Sequence, residues 1–167
     1  MLSIGDPRSL GKIQEVVEIV LKNSDNLDSL FYCLFTDNDF VRMRASDALE
    51  KICKLRPEWF NPYKQELLNK VPLIRQPSVQ WHLAQILSEI ELSKTEQEVA
   101  ITILKNNLST MDDWIVVNLT LQSLAYFAKM GTLDNKDFIE ILEKQKSNKY
   151  RSVRSRVAKL LREFQPS

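Results

Sequence analysis

The chain has 167 residues, with 23 basic and 22 acidic side chains, one histidine and three glycines. This is the length of one domain, and it can bury a core without disulfides or metals. Gly5, Gly11 and Gly131 do not have the spacing of a phosphate-binding loop. His82 alone cannot supply a zinc site built on several histidines, and a site made of carboxylates alone stays open. We therefore expect no catalytic residue, no cofactor and no metal.

The sequence also predicts a cellular compartment. It holds no apolar run near the 18 or so residues that a membrane span needs, and its first ten residues lack the basic and apolar regions of a signal peptide. Cys33 and Cys53 are then expected to be reduced thiols. We expect a cytoplasmic protein with no membrane partner.

Apolar residues recur at three- and four-residue steps along almost the whole chain, which predicts helices and no strands. Pro77 and Asp113 suit helix starts, and Gly131 suits a left-handed cap after a helix end. The nine predicted helices are one that begins near Ser9, two over 27–34 and 41–52, and six over about 62–71, 77–91, 94–107, 113–130, 135–146 and 150–164.

The apolar pattern of the third helix recurs three times. Its positions Val41, Ala45, Ala48, Leu49 and Ile52 align with sets that begin at Val79, Val116 and Val153, at steps of 37 or 38 residues. A shorter helix precedes each copy, so the repeating unit is a helical hairpin whose apolar face must be covered by the next hairpin. We expect one domain over 1–167, made of an N-terminal helix over 1–23 and hairpins over 24–56, 57–92, 93–131 and 132–167.

Two segments carry a resemblance to a known family. The run DNDFVRMRASDAL over 37–49, and the partial copy VRSRVA over 153–158, resemble HEAT repeats, a branch of the armadillo-like α-solenoids. The run VQWHLAQ over 79–85 is similar to a stretch of small stand-alone bacterial HEAT-repeat proteins. The resemblance implies an all-α, right-handed superhelix of about four hairpins. Gln80 and Val117 stand where the family has arginine, which predicts an interrupted Asp–Arg ladder.

The second helices of a solenoid line one surface, usually concave, on which a partner lies. At 100° per residue, positions two and six after Val41 and its equivalents point away from the core. The expected partner-binding residues are Met43, Asp47, Trp81, Gln85, Asn118 and Gln122. Trp81 is either the anchor of this surface or a ring packed on a neighbouring helix. We expect His82 at the edge of the core, and Trp114 at the end of a hairpin.

A second candidate site is the basic C-terminal segment. Residues 144–162 contain eight cations and no carboxylate. The candidate phosphate-binding residues are Lys149, Arg151, Arg154, Lys159 and Arg162. This segment is either a solvated cap of the last hairpin or a surface for nucleic acid.

Paired carboxylates offer an enzymatic alternative. Asp37 with Asp39, and Asp112 with Asp113, lie at helix starts, where capping explains them. HEAT-like alkylpurine DNA glycosylases use Trp and Asp residues on a DNA-facing surface, and Asp112 or Asp113 beside Trp114 could serve such a site. We expect a monomeric, non-enzymatic scaffold that binds a protein or peptide; the alternative is a nucleic-acid-binding protein, including a glycosylase relative.

Overall fold

A computed structural model describes residues 12–165. In this range the prediction of nine α-helices and no strand is confirmed. The predicted helix start near Ser9 lies outside the described residues. The helices are α1 Ile13–Lys22, α2 Asn26–Tyr32, α3 Asp39–Leu55, α4 Lys64–Asn69, α5 Pro77–Glu89, α6 Lys94–Thr110, α7 Trp114–Lys129, α8 Asn135–Gln145 and α9 Arg151–Phe164. Short 3₁₀ helices are Cys33–Phe35, Pro57–Tyr63 and Val71–Leu73, so the helix predicted from Pro62 begins only at Lys64.

Side-chain caps define where several helices begin. The Asn38 side chain accepts hydrogen bonds from two backbone N–H groups at the start of α3, and Asp134 does the same at α8. At α6, Ser93 and Glu96 form a reciprocal capping box. Gly131 follows α7 with φ of 78°, the left-handed conformation that glycine adopts without strain. These turns follow directly from the local sequence.

The described residues divide into two compact units, 12–91 and 92–165. In the first unit α1 packs on α3, and α3 packs on α5. Its core holds fully buried Phe31, Leu49 and Leu87, so the apolar repeat of α3 and α5 does form the core.

In the second unit α6 packs on α7, α8 packs on α9, and α7 packs on α9. The repeat positions from Val116 to Phe127 on α7 are buried, including two polar ones. The two buried polar residues are Ser123 and Thr120. Thr120 is fully buried, and its Oγ1 has no hydrogen-bond partner. The pattern therefore identifies buried positions correctly even where the residue is polar.

One hydrogen bond recurs at the arginine position of the repeat. Arg42 donates to the carbonyl of Thr36 at 2.6 Å, and Arg154 donates to the carbonyl of Asn148 at 2.7 Å, six residues earlier in each case. Gln80 keeps the same bond, with its Nε2 at 2.6 Å from the carbonyl of Ile74. The amide therefore replaces the guanidinium in closing this turn, whereas the apolar side chain of Val117 cannot donate.

Candidate functional site

The helices α7 and α9 of the second unit flank two neighbouring open pockets, one of about 650 Å³ beside Tyr126 and one of about 520 Å³ beside Trp114. Arg156 and Lys159 line both pockets, and the two together are called the groove below. The Trp114 side chain is exposed, with 47% of its surface accessible, and Tyr126 is exposed at 39%. The expectation that Trp114 closes a hairpin end is therefore wrong. Across from these rings, α9 lines the groove with Arg156, Lys159 and Arg162.

Arg156 is held in place by α7. Its Nε donates to Asn118 Oδ1 at 3.1 Å, and its Nη1 donates to Gln122 Oε1 at 2.9 Å. Asn118 is itself only 7% exposed and donates to the carbonyl of Trp114 and to Ser152 Oγ. The two predicted partner-binding residues of this unit thus differ: Gln122 is exposed, whereas Asn118 is buried and positions the guanidinium.

The predicted phosphate-binding residues do not share one surface. Lys159 and Arg162 line the groove. Lys149 forms an ion pair with Asp112, which raises the Lys149 pKa, and Arg154 donates to two backbone carbonyls. At 100° per residue, Arg154 lies about 140° around α9 from Lys159. Arg151 is exposed near the start of α9 and does not line the groove.

In the first unit, the predicted partner-binding side chains are less exposed than a solvent-facing ridge requires. Asp47 is 8% exposed, and Met43, Trp81 and Gln85 are half-buried. The Trp81 ring lies 5.6 Å from that of His82 between centroids, with the planes tilted by 55°. Gln85 Nε2 donates to Glu50 Oε1 at 3.2 Å. The expectation of an open ridge is wrong at Asp47 and Asn118, because neighbouring helices cover both.

Three groups in the first unit could ligate a metal. Asp47 and Glu50 on α3 and His82 on α5 each offer one ligand atom, and these atoms lie within 4.8 Å of one another. Asp47 pairs with Lys51, and Glu50 pairs with Lys54. Burial lowers the pKa of His82 to about 4, which keeps its imidazole neutral at ordinary pH.

The carboxylates considered for catalysis have structural partners. Asp113 Oδ1 accepts from the backbone N–H of Ile115 at 2.8 Å and of Val116 at 3.0 Å, so it caps α7. Asp112 pairs with Lys149, and Asp39 pairs with Arg42. Capping is thus confirmed for Asp113, whereas at α3 the cap is Asn38 and not Asp37 or Asp39. Neither member of the pair beside Trp114 is a free carboxylate.

Helical hairpins that repeat every 37 or 38 residues define the class, which is that of the all-α solenoid repeat proteins. The profile of the HEAT repeat domain family matches residues 4–116, and the chain belongs to that family. HEAT repeats are generally protein-interaction scaffolds and are typically non-enzymatic. Comparisons with curated proteins and with solved structures found no match. Over residues 12–165, no helix is long and apolar enough to span a bilayer.

In the sequence analysis, Trp114 is named only at a hairpin end and in the glycosylase alternative, and no site role is assigned to Tyr126 or Arg156. Trp114 lies two positions before Val116, at about 160° on the helical wheel, close to the outward face at about 200°. Its exposure could therefore have been predicted. Tyr126 and Arg156 lie on the flank between the core and the outward face, where exposure depends on how α7 and α9 pack, and no signal in the sequence identifies them.

Proposed function

We propose that this protein is a non-enzymatic scaffold that binds an extended acidic segment of a partner protein in the groove between α7 and α9. The observation that carries the proposal is the combination of exposed Trp114 and Tyr126 with three basic side chains on the opposite wall. Tryptophan, tyrosine and arginine are the residues most often found to dominate binding energy at protein interfaces.

The length of the groove indicates the length of the segment. Trp114 and Tyr126 lie twelve positions apart on α7, which is about 18 Å at a rise of 1.5 Å per residue. An extended chain advances about 3.3 Å per residue, so about six residues span this distance. A segment with an apolar side chain near each end would contact both rings and present its acidic residues to α9.

Charge supports an acidic partner. Arg156 is held by its two side-chain hydrogen bonds, so its guanidinium loses little freedom when it binds a carboxylate. Lys159 and Arg162 are exposed within the groove. Glu163 also lines the groove, but it pairs with Lys129. The cations that remain available attract carboxylates and repel basic segments.

Nucleic acid is the alternative for the same groove, because exposed aromatic rings and cations are also the elements of a single-strand site. One observation favours a protein. The predicted phosphate-binding residues are split around α9, with Lys149 and Arg154 used in intramolecular bonds.

In the first unit we propose that Trp81, with Met43 and Gln85 of the same predicted face, contributes a second contact surface. Its partly exposed ring supports this role. If Trp81 is an anchor, Trp81→Ala weakens partner binding by about 2 kcal/mol or more and leaves the fold intact. A variant that unfolds instead would assign Trp81 to the core.

We further propose that the protein acts as a monomer in the cytoplasm. We also propose that each of the four predicted hairpins is one repeat. The free thiols of Cys33 and Cys53 support a reducing compartment. The polar, charged outer side of α9 supports a last hairpin that faces water rather than a second copy.

The groove is tested with a fluorescein-labelled peptide of alternating Glu and Leu, titrated by fluorescence anisotropy. We expect binding that weakens by at least about tenfold on Trp114→Ala or Lys159→Glu. Arg151→Glu is the matched control, because it makes the same charge change on α9 outside the groove. An equal loss with Arg151→Glu would mean that only overall charge matters, and would contradict the proposal.

The alternatives are separated by two further probes. A Lys–Leu peptide of the same length measures apolar binding without acidic groups, and we expect it to bind at least about tenfold more weakly. A single-stranded oligonucleotide of twelve thymidines tests nucleic acid. Tighter binding of the oligonucleotide than of the acidic peptide, falling steeply with salt, would move the function to nucleic acid.

A further inference from the structure

The metal-ligating cluster in the first unit is built from two successive hairpins. Asp47 and Glu50 lie three positions apart on α3, so they share one helix face. His82 comes from α5, which packs on α3. The three ligand atoms lie within 4.8 Å of one another. His82 is 35 positions from Asp47 in the sequence, so local spacing cannot reveal the cluster. The prediction of no metal site was based on local motifs alone.

Two polar atoms of this cluster lack a partner. Asp47 is 8% exposed, and its Oδ2 is buried with no hydrogen bond; the same holds for Nδ1 of His82. Buried polar atoms in folded proteins nearly always have a partner, and each exception needs an explanation. Here the two unpartnered atoms belong to neighbouring residues that could both ligate the same ion.

We propose that Asp47, Glu50 and His82 form a binding site for a divalent transition metal ion, of which Zn²⁺ is the representative. One imidazole nitrogen with two carboxylate oxygens suits Zn²⁺, whereas Mg²⁺ and Ca²⁺ prefer oxygen ligands alone. Three protein ligands leave a fourth tetrahedral position for water. The site would join α3 to α5 and hold two hairpins of the first unit together.

The charges around the cluster permit an ion to enter. Asp47 pairs with Lys51 and Glu50 with Lys54, and the lysine side chains are 39% and 49% exposed. Both ammonium groups can turn into water when a divalent ion takes the carboxylates. The carboxylates then neutralise the ion, so no net charge is buried. Gln85 also donates to Glu50, which orients that carboxylate towards α5.

The competing explanation for the two unpartnered atoms, Asp47 Oδ2 and His82 Nδ1, is a bridging water molecule.

The experiment is a calorimetric titration of Zn²⁺ into the untagged chain of 167 residues after treatment with a chelator. We expect one ion per chain and a rise in the unfolding temperature with Zn²⁺. His82→Gln should weaken binding by at least about tenfold, since it removes the nitrogen ligand. Glu58→Gln, an exposed carboxylate outside the cluster, is the matched control and should bind as the unaltered chain does.

Two further measurements keep the proposal testable if His82→Gln folds poorly. The double variant Lys51→Met, Lys54→Met should bind Zn²⁺ more tightly, because it removes the competing ammonium groups. Co²⁺ should give a visible absorption spectrum that Zn²⁺ abolishes. A water-filled site would show no saturable Zn²⁺ binding, and binding that is unchanged in His82→Gln would assign the ion elsewhere; either result overturns the proposal.

Discussion

Arg42 and Arg154 make the same hydrogen bond in two different hairpins. Each guanidinium donates to the carbonyl six residues earlier in the chain, at 2.6 Å for Thr36 and at 2.7 Å for Asn148. The repeat thus preserves a contact that closes the turn before the second helix. The sequence alone makes Arg154 a candidate phosphate ligand. In the structure its guanidinium is already used in this intramolecular hydrogen bond.

Arg154→Ala should therefore reduce stability and leave ligand binding unchanged. The loss of hydrogen bonds from a charged donor to two carbonyls should lower the free energy of unfolding by about 1 kcal/mol, since the side chain is exposed. Urea unfolding measures this change. Arg151→Ala serves as the control and should stay within about 0.5 kcal/mol of the unaltered protein. An Arg154→Ala chain that is fully stable but loses peptide binding would contradict the structural role.

Thr120→Val should stabilise the protein. Thr120 is fully buried on α7, and its hydroxyl has no hydrogen-bond partner, so folding removes this group from water without compensation. Valine has nearly the same shape and no hydroxyl. We expect the free energy of unfolding to rise by about 1 kcal/mol, measured by urea or thermal unfolding. Thr120→Ser is the comparison, and should lower stability because it keeps the hydroxyl and leaves a gap; a destabilising Thr120→Val would show that the hydroxyl has a partner.

The two thiols should differ in reactivity. Cys53 is fully buried, and burial together with nearby Glu89, Glu50 and Glu58 raises its pKa to about 12. Cys33 is only partly buried, although burial raises its pKa as well. Because the thiolate is the reactive form, a maleimide at pH 7 should modify Cys33 in the native protein and Cys53 only after unfolding. Mass spectrometry of the labelled peptides measures this, and rapid native labelling of Cys53 would contradict its burial.

Stability should fall at alkaline pH. An unfolded cysteine ionises near pH 8.5, whereas folded Cys53 keeps its proton up to about pH 12, so the unfolded state binds fewer protons between these values. The stabilisation is fully present below about pH 8.5 and decreases as the pH rises towards 12. Tyr63, with a pKa raised to about 12 chiefly by burial, adds to the fall above about pH 10. Urea unfolding from pH 7 to 11 measures the slope. Cys53→Ala should flatten it between pH 8.5 and 10, and an unchanged slope would exclude Cys53 as the cause.

Much of the fold is predictable because it depends on interactions between residues close in the chain. The helical period identifies the core positions of α3 and α7, down to buried polar Thr120. Caps such as Asp113, and Gly131 after α7, follow from backbone groups a few residues away. The repeat of 37 or 38 residues then implies that hairpins stack, since one hairpin cannot cover its own apolar face.

The site is predictable only in part, because exposure of a helix flank depends on residues one repeat away. The wheel correctly indicates that Gln122 faces outward, yet Asn118 on the same face is buried against α9. The helical wheel does not indicate which basic residues of α9 face α7. Nor does it indicate that Arg154 donates hydrogen bonds to backbone carbonyls.

The sequence by itself therefore determined the all-α class, the number of helices, the caps Asp113 and Gly131, and the repeat, since each arises from local hydrogen bonding and the helical period. Only the tertiary structure decided that Arg156 lies along α7 beside exposed Trp114, and that His82 lies beside Asp47. These pairs are separated by about one repeat length, and their approach depends on how neighbouring helices pack. The distance between neighbouring helices and the rotation of each helix about its axis are determined by many side chains at once. No local sequence pattern predicts them.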